Sequence, residues 1–263
     1  MLEFIKKLAV DAGKLAMERR QTLTGNAIHA KGTDVDMVTD VDRETEGFII
    51  SKIQANYPGH GIFGEESGVK VSDSPYRWVI DPIDGTVSFI HDTHYWCVSI
   101  ALQKDGETIA GAIYAPKLDE LFYAEKGKGA FLNGREIHVS SCNSMLSAVL
   151  ATGFACVRAR QKPDNMIYFA QILRQAQGVR RGGSAALDLC HVAAGRYDGY
   201  WEMKLNLYDI AAGALIAAEA GAVVCDFKSK QNFHDDGIIC VTPGLFDKLM
   251  YVIEHPQMEY ANE

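Results

Sequence analysis

Apolar residues at Ile5, Leu8, Ala9, Ala12, Leu15 and Ala16 recur in steps of three and four, so the chain opens with an amphipathic helix. Gly25 ends that segment, and Ala27 to Thr39 predicts strands around a Lys31-Gly32-Thr33-Asp34 turn. Phe48, Ile49 and Ile53 mark a second helix, closed by Tyr57-Pro58-Gly59. From Tyr76 to Val139 the pattern turns to strands. Trp78-Val79-Ile80 is a buried strand ending at Asp81, and Trp96 to Gln103, Thr108 to Tyr114 and Leu121 to Ala124 form a meander with a Lys104-Asp105-Gly106 turn. Asn133-Gly134 is a tight hairpin signal.

The second half alternates between the two periods. A helix starts near Pro163, a strand lies around Val179, and a helix runs from Ala185 to a cap at Gly195. A strand from Gly199 to Met203 leads into a helix from Tyr208 to Ala220, capped by Gly221. Strands at Ala222 to Asp226 and Ile238 to Val241 follow, and Thr242-Pro243 opens the last helix in the preferred N-cap and N1 order. This predicts an α/β fold with layered sheets and helices. It also predicts two closely joined halves, 1–145 and 146–263, with no linker between them.

Composition adds three constraints. The chain has 263 residues, 48% hydrophobic and 23% charged, an ordinary globular balance with ample material for a large core. Lys6, Lys7, Asp11, Glu18, Arg19 and Arg20 interrupt the N-terminus, so no signal peptide is expected there. The most apolar tract, Ile210 to Val224, carries Glu219 and is too short to span a bilayer, so no membrane partner and a cytoplasmic location are expected. The six scattered cysteines form no CxxC pair and predict buried reduced thiols. A net charge of −8 argues against nucleic-acid backbones as partners, and any anion site here would need local cations.

The strongest chemical signal is Trp78-Val79-Ile80-Asp81-Pro82-Ile83-Asp84-Gly85-Thr86. The strand delivers Asp81, and Pro82 stiffens the exit so that Asp84 returns beside it. Two such carboxylates repel by about 4 kcal/mol at the effective dielectric of a protein surface, a cost that a bound divalent cation removes. Hard cations want about six oxygens, and the Ile83 carbonyl lies between the two acids. Gly85 and Thr86 then offer backbone N–H groups to an anion where a short helix begins. The plainer alternative is an Asp-Gly turn after an edge strand. Glu65, in Gly64-Glu65-Glu66-Ser67, follows the strand-like Gly61-Ile62-Phe63 and either joins the two aspartates or is a solvated loop acid. Asp209 opens an apolar, small-residue helix, where it either meets a cation or caps the helix.

Taken in order, Gly64-Glu65-Glu66, Asp81-Pro82-Ile83-Asp84-Gly85-Thr86, Lys128-Gly129-Ala130-Phe131-Leu132-Asn133-Gly134, Asp209 and Glu219-Ala220-Gly221-Ala222 resemble the inositol monophosphatase family over nearly the whole chain. The resemblance implies an α+β layered sandwich of helices and two β-sheets, and hydrolysis of a small-molecule phosphate monoester by in-line attack of water. It implies two or three Mg²⁺ ions. Glu65, Asp81 and the Ile83 carbonyl would hold one, and Asp81, Asp84 and Asp209 a second, while a third would share Glu65 through water. Thr86 and Asp42 would orient and deprotonate the attacking water, and the Gly85 and Thr86 amides would grip phosphate. Gly183, Ser184, Ala185 and Glu202 match positions that contact the alcohol. Homodimerisation is implied too, with the region after Tyr95 near the interface and Tyr95, Trp96 and Phe131 as aromatic anchors, or else as core.

Several positions depart from the family pattern: Val87-Ser88-Phe89 stands for Thr-Asn-Phe, His94 for proline, Tyr208 for tryptophan and Ser184 for threonine. None is a metal ligand, so they bear on substrate rather than chemistry. Myo-inositol monophosphate is the expected substrate. Histidinol phosphate, fructose bisphosphate and 3′-phosphoadenosine 5′-phosphate are the rivals. A role of another class, as an accessory protein binding RNA polymerase or ribosomal components, is also implied by some bacterial relatives.

Overall fold

A computed structural model of the chain describes residues 1–22, 28–30, 37–230 and 237–256. The strands β1 (Ile28–Ala30) and β2 (Met37–Thr39) pair antiparallel as expected, while the turn predicted at residues 31–34 lies outside the described residues.

Helices α1 (Leu2–Arg20) and α2 (Asp40–Asn56) form an outer layer. They bury Ile5, Leu8, Ala9, Ala12, Ile49 and Ile53 against Trp78, Ile80, Ile100 and Ala112 of an eight-stranded sheet. That sheet comprises β3 (Gly61–Gly64), β4 (Gly68–Lys70), β5 (Tyr76–Asp84), β6 (Cys97–Lys104), β7 (Glu107–Ala115), β8 (Glu120–Glu125), β9 (Ala130–Leu132) and β10 (Arg135–Ile137). Its spatial order is β10-β9-β8-β7-β6-β5-β3-β4, antiparallel except where β3 runs parallel to β5. Because strand side chains alternate between faces, Val79 and Ala101 point to the opposite side from Trp78 and Ile100.

On that opposite side lie α6 (Ala185–Ala193) and α7 (Leu207–Glu219), whose alanines and leucines let helix and sheet approach closely. Beyond them is a five-stranded sheet of β11 (Val149–Thr152), β12 (Gly178–Arg180), β13 (Gly199–Glu202), β14 (Val223–Cys225) and β15 (Ile238–Val241), in the order β12-β11-β13-β15-β14. Its far face, with Leu150, Trp201, Ile239 and Val241, is covered by α5 (Met166–Gln175) and α8 (Phe246–Glu254). A short α3 (Thr86–Ile90) follows β5, and α4 (Ala155–Arg158) follows β11. The result is five alternating layers, helix–sheet–helix–sheet–helix, which is the expected layered α/β sandwich.

One expectation changes: the strand predicted to stop at Asp81 continues to Asp84. Of the two readings of the aromatic residues, packing within the chain is seen for all three. Trp96 is buried edge-on to Phe89, Tyr95 is buried with its hydroxyl on Asp188, and Phe131 stacks on Tyr123. All six cysteines are free thiols, five of them buried.

Candidate active site

The site is built around the end of β5. Asp81 pairs with Ser99 of β6 and Asp84 with Cys97, so one extra residue is inserted between them. Pro82 has no N–H to give to the ladder, and the Ile83 N–H turns back to Asp81 Oδ1 at 3.0 Å. Three steps along a regular strand would put the two aspartates on opposite faces. The bulge corrects the alternation and brings them to the same side. Proximity thus comes from a bulge inside the strand, where the sequence suggested a loop that returns.

Glu65 follows β3 directly, and its N–H extends the parallel ladder to the Ile80 carbonyl at 3.1 Å, which sets it beside Asp81. Asp81 is 1% exposed. Burial pushes its carboxyl well above the usual range, and the charges of Glu65, Asp84 and Asp209 push it further. Asp84 is held up to about 7, chiefly by burial. The Ser184 hydroxyl and the Ala186 N–H, which donate to its Oδ2 at 2.6 and 2.7 Å, partly offset this. Asp209 is raised by burial, then by Asp84 and Glu65. Its Oδ2 accepts the Asn206 N–H at 2.7 Å in the capping box of α7, so the residue is a helix cap and a member of the acidic cluster at once.

Gly85 lies in the left-handed region (φ 95°), and a Cβ there would meet the Tyr95 carbonyl at 2.7 Å, so a side chain is excluded twice over. It caps α3, whose first amides have no acceptor within the helix and are therefore open to an anion. Thr86 Oγ1 lies 3.2 Å from the Ile83 carbonyl and 3.4 Å from Asp42 Oδ1. Asp42 sits in the first turn of α2, with Oδ2 accepting the Thr39 N–H and hydroxyl. Burial raises it to about 7, with the Thr39 bonds opposing and the Glu65 and Glu66 charges adding.

On the other side, Ser184 caps α6 by accepting the Leu187 N–H at 3.2 Å, and its one proton goes to Asp84. Gly183 and Ala185 flank it, and Glu202 ends β13, 5% exposed. Tyr200 donates to Glu202 Oε2 at 2.6 Å and the Ala155 N–H to Oε1 at 3.2 Å. Burial raises Glu202, while those two bonds and the nearby Arg181 and Arg158 pull it back. Its charge in turn raises Asp84 and Asp209, so Glu202 belongs to the same electrostatic neighbourhood. Ala186, Tyr200 and Ala155 were not anticipated from the sequence. Tyr200 alone left a signal there, since it sits two residues before Glu202 on one strand face.

Among the described residues no three His, Cys, Asp or Glu side chains are drawn together as a closed metal shell. The donor set nonetheless fits a hard cation. Asp81 and Asp84 are buried oxygen donors and Asp209 a half-buried one, and among the described residues the main influences on all three are burial, hydrogen bonds and other carboxylates.

The model of the inositol monophosphatase family matches residues 1–255. An inositol-1-monophosphatase of Mesorhizobium japonicum is 37% identical, covering 91% of this chain and 90% of its own length. The Nus factor SuhB of Pseudomonas aeruginosa is 40% identical over 97% of this chain and 96% of its own. Among solved structures, the inositol monophosphatase of Anabaena superposes with a TM-score of 0.86 at 35% identity, covering 97% of this chain and 96% of that one. With a whole-chain family match, such relatives and a shared layered fold, the chain belongs to the inositol monophosphatase family and is an enzyme of the phosphatase class.

Proposed function

We propose that the enzyme hydrolyses phosphate monoesters of small soluble alcohols, myo-inositol monophosphate foremost, with Mg²⁺ held by Glu65, Asp81, the Ile83 carbonyl, Asp84 and Asp209. The observation that carries this reading is the group of acids whose charges raise one another, Glu65, Asp81, Asp84 and Asp209, set directly against the Gly85–Thr86 amides. Bound there, two or three Mg²⁺ ions would supply Lewis-acid charge and lower the pKa of water. The chain's own residues do the rest. Thr86 and Asp42 orient the attacking water, and Asp42, held near 7, is suited to take its proton near neutral pH. The Gly85 and Thr86 amides hold the phosphate, Ser184 fixes Asp84, and Glu202 accepts hydrogen bonds from hydroxyls of the alcohol, with Gly183 and Ala185 lining the approach.

The test is a substrate panel with Mg²⁺ or EDTA, containing inositol monophosphate, histidinol phosphate, fructose bisphosphate and 3′-phosphoadenosine 5′-phosphate. Inositol monophosphate should turn over fastest and only with Mg²⁺. Full activity in EDTA would end the metal reading, and preference for a rival would replace the substrate. Millimolar Li⁺ should inhibit uncompetitively. The proposed state is a homodimer, checked by sedimentation at micromolar concentration, where a monomer would contradict it.

A second reading, an accessory role beside the enzymatic one, is favoured by the Nus factor name of close relatives and by the net charge of −8, which suits a basic partner. Asp84→Asn separates the two. It should end turnover while leaving any partner function in place.

A further inference from the structure

Glu46 is an acid on the buried face of α2, only 2% exposed and four residues beyond Asp42, so the two share one face of the helix. Asp42 reaches Thr86 from that face. Glu46 reaches the loop after β3, where its Oε2 accepts the Glu66 N–H at 2.9 Å and its Oε1 the Ser67 N–H at 2.7 Å. The carboxylate lies so close beneath the loop that a Cβ at Gly64 would meet Glu46 Oε2 at 2.5 Å. Gly64 and the two amides therefore form a seat around one buried carboxylate, and Glu65 is the residue between them.

We propose that Glu46 is the positioning residue of the metal site. By pinning the backbone on the C-terminal side of Glu65 it fixes where that carboxylate stands relative to Asp81, and α2 thereby sets both Thr86 and Glu65 in one rigid frame. A carboxylate accepting two backbone N–H groups is a strong tether, because the bonds are charge-assisted and the carboxylate itself is buried. The inference rests on the reading of Glu65 as a Mg²⁺ ligand. Glu46 itself touches neither substrate nor cation in this account.

The test titrates Mg²⁺ calorimetrically into metal-stripped full-length protein for the wild type, Glu46→Gln, Glu65→Gln and the double variant. A carboxamide can accept only through its one oxygen, so Glu46→Gln leaves an amide without an acceptor and the loop loosens. Loss of an outer partner of this kind typically costs about 10–100-fold in metal affinity, and that is the expected loss. Glu65→Gln should lose at least as much, and the double variant no more than Glu65→Gln alone. A merely structural role would lower the melting temperature of all Glu46 variants without this pattern in Mg²⁺ affinity. If Glu65→Gln weakens Mg²⁺ binding while Glu46→Gln does not, the inference is overturned and the metal reading stands. If neither has an effect, the metal reading of Glu65 fails and takes the inference with it. Should Glu46→Gln not fold, amide exchange on the wild type decides. The Glu66 and Ser67 amides should exchange slowly, and more slowly with Mg²⁺, whereas open-loop exchange indifferent to Mg²⁺ would overturn the proposal.

Discussion

On the β5 side of the site, the buried Asp81 accepts one N–H from its own turn and otherwise meets carboxylates, with Glu65 beside it and Asp84 and Asp209 adding charge. On the β13 side, the equally buried Glu202 has a donor on each oxygen and two arginines within electrostatic reach. Both are costly buried acids, yet among the described residues the second has more donors to balance it. The contrast fits the two tasks proposed above: the crowded acids would be held for cations, whereas an acid that already has its donors could offer its remaining lone pairs to neutral hydroxyls. Asp84 joins the two sides, since it belongs to β5 but accepts from Ser184 and Ala186 at the start of α6.

The largest expected effect breaks the first side. Asp81→Asn or Asp84→Asn should lower kcat/KM by about 10³-fold or more, the loss of several kcal/mol of charge stabilisation at about 1.4 kcal/mol per factor of ten. The fold, followed by circular dichroism, should stay intact, and near-wild-type turnover would end the assignment. Next, Asp42→Asn should cut kcat by about 10²–10⁴-fold with Mg²⁺ binding unchanged, because it removes a proton acceptor and no ligand. A parallel loss of Mg²⁺ affinity in calorimetry would move Asp42 into the cation site.

How much of this was legible in the sequence follows the same division. The motif from Asp81 to Thr86, Glu65 after a short strand, and Asp209 at a helix start are local patterns, and in the fold the charges of these acids act on one another. The layers were legible for the same reason, since apolar periods of two and of three to four map onto sheet and helix faces. What escaped depends on contacts between distant segments. The bulge at Pro82 needs β6 as its reference, the Ala186 N–H reaches Asp84 from 102 residues away, and Glu46 holds a loop 20 residues on. Glu46 did leave a trace, being an acid in line with Asp42, Ile49 and Ile53 on the apolar face of α2. The short β11 and α4 carried too few residues to show a period.

On the second side, Glu202→Gln should cost about 1–3 kcal/mol of binding for a polyol substrate, the value of a charged hydrogen bond. It should appear in KM for inositol monophosphate and scarcely for an aryl phosphate. Equal losses on every substrate would mean that Glu202 supports the fold or the acidic cluster. A further effect concerns stability without metal. Asp84 is raised from 3.8 to about 7 by folding, so its ionisation penalises the native state, not at all below pH 3.8 and fully above about 7. In EDTA, the stability of Asp84→Asn relative to wild type should therefore grow as pH rises through that window and then level off. Denaturant melts that give a difference independent of pH would contradict the assigned shift.

Whether these raised carboxylates are the cation's ligands is decided by one calorimetric measurement. Mg²⁺ is titrated into metal-stripped protein near pH 6.5 in two buffers of different ionisation enthalpy. Ligands must be ionised to bind, and Asp84 at about 7 is largely protonated at that pH before Mg²⁺ arrives. Binding should release protons, seen as an apparent enthalpy that differs between the buffers, and Asp84→Asn should reduce the release. Mg²⁺ binding with the same enthalpy in both buffers, or no binding at all, would contradict that assignment.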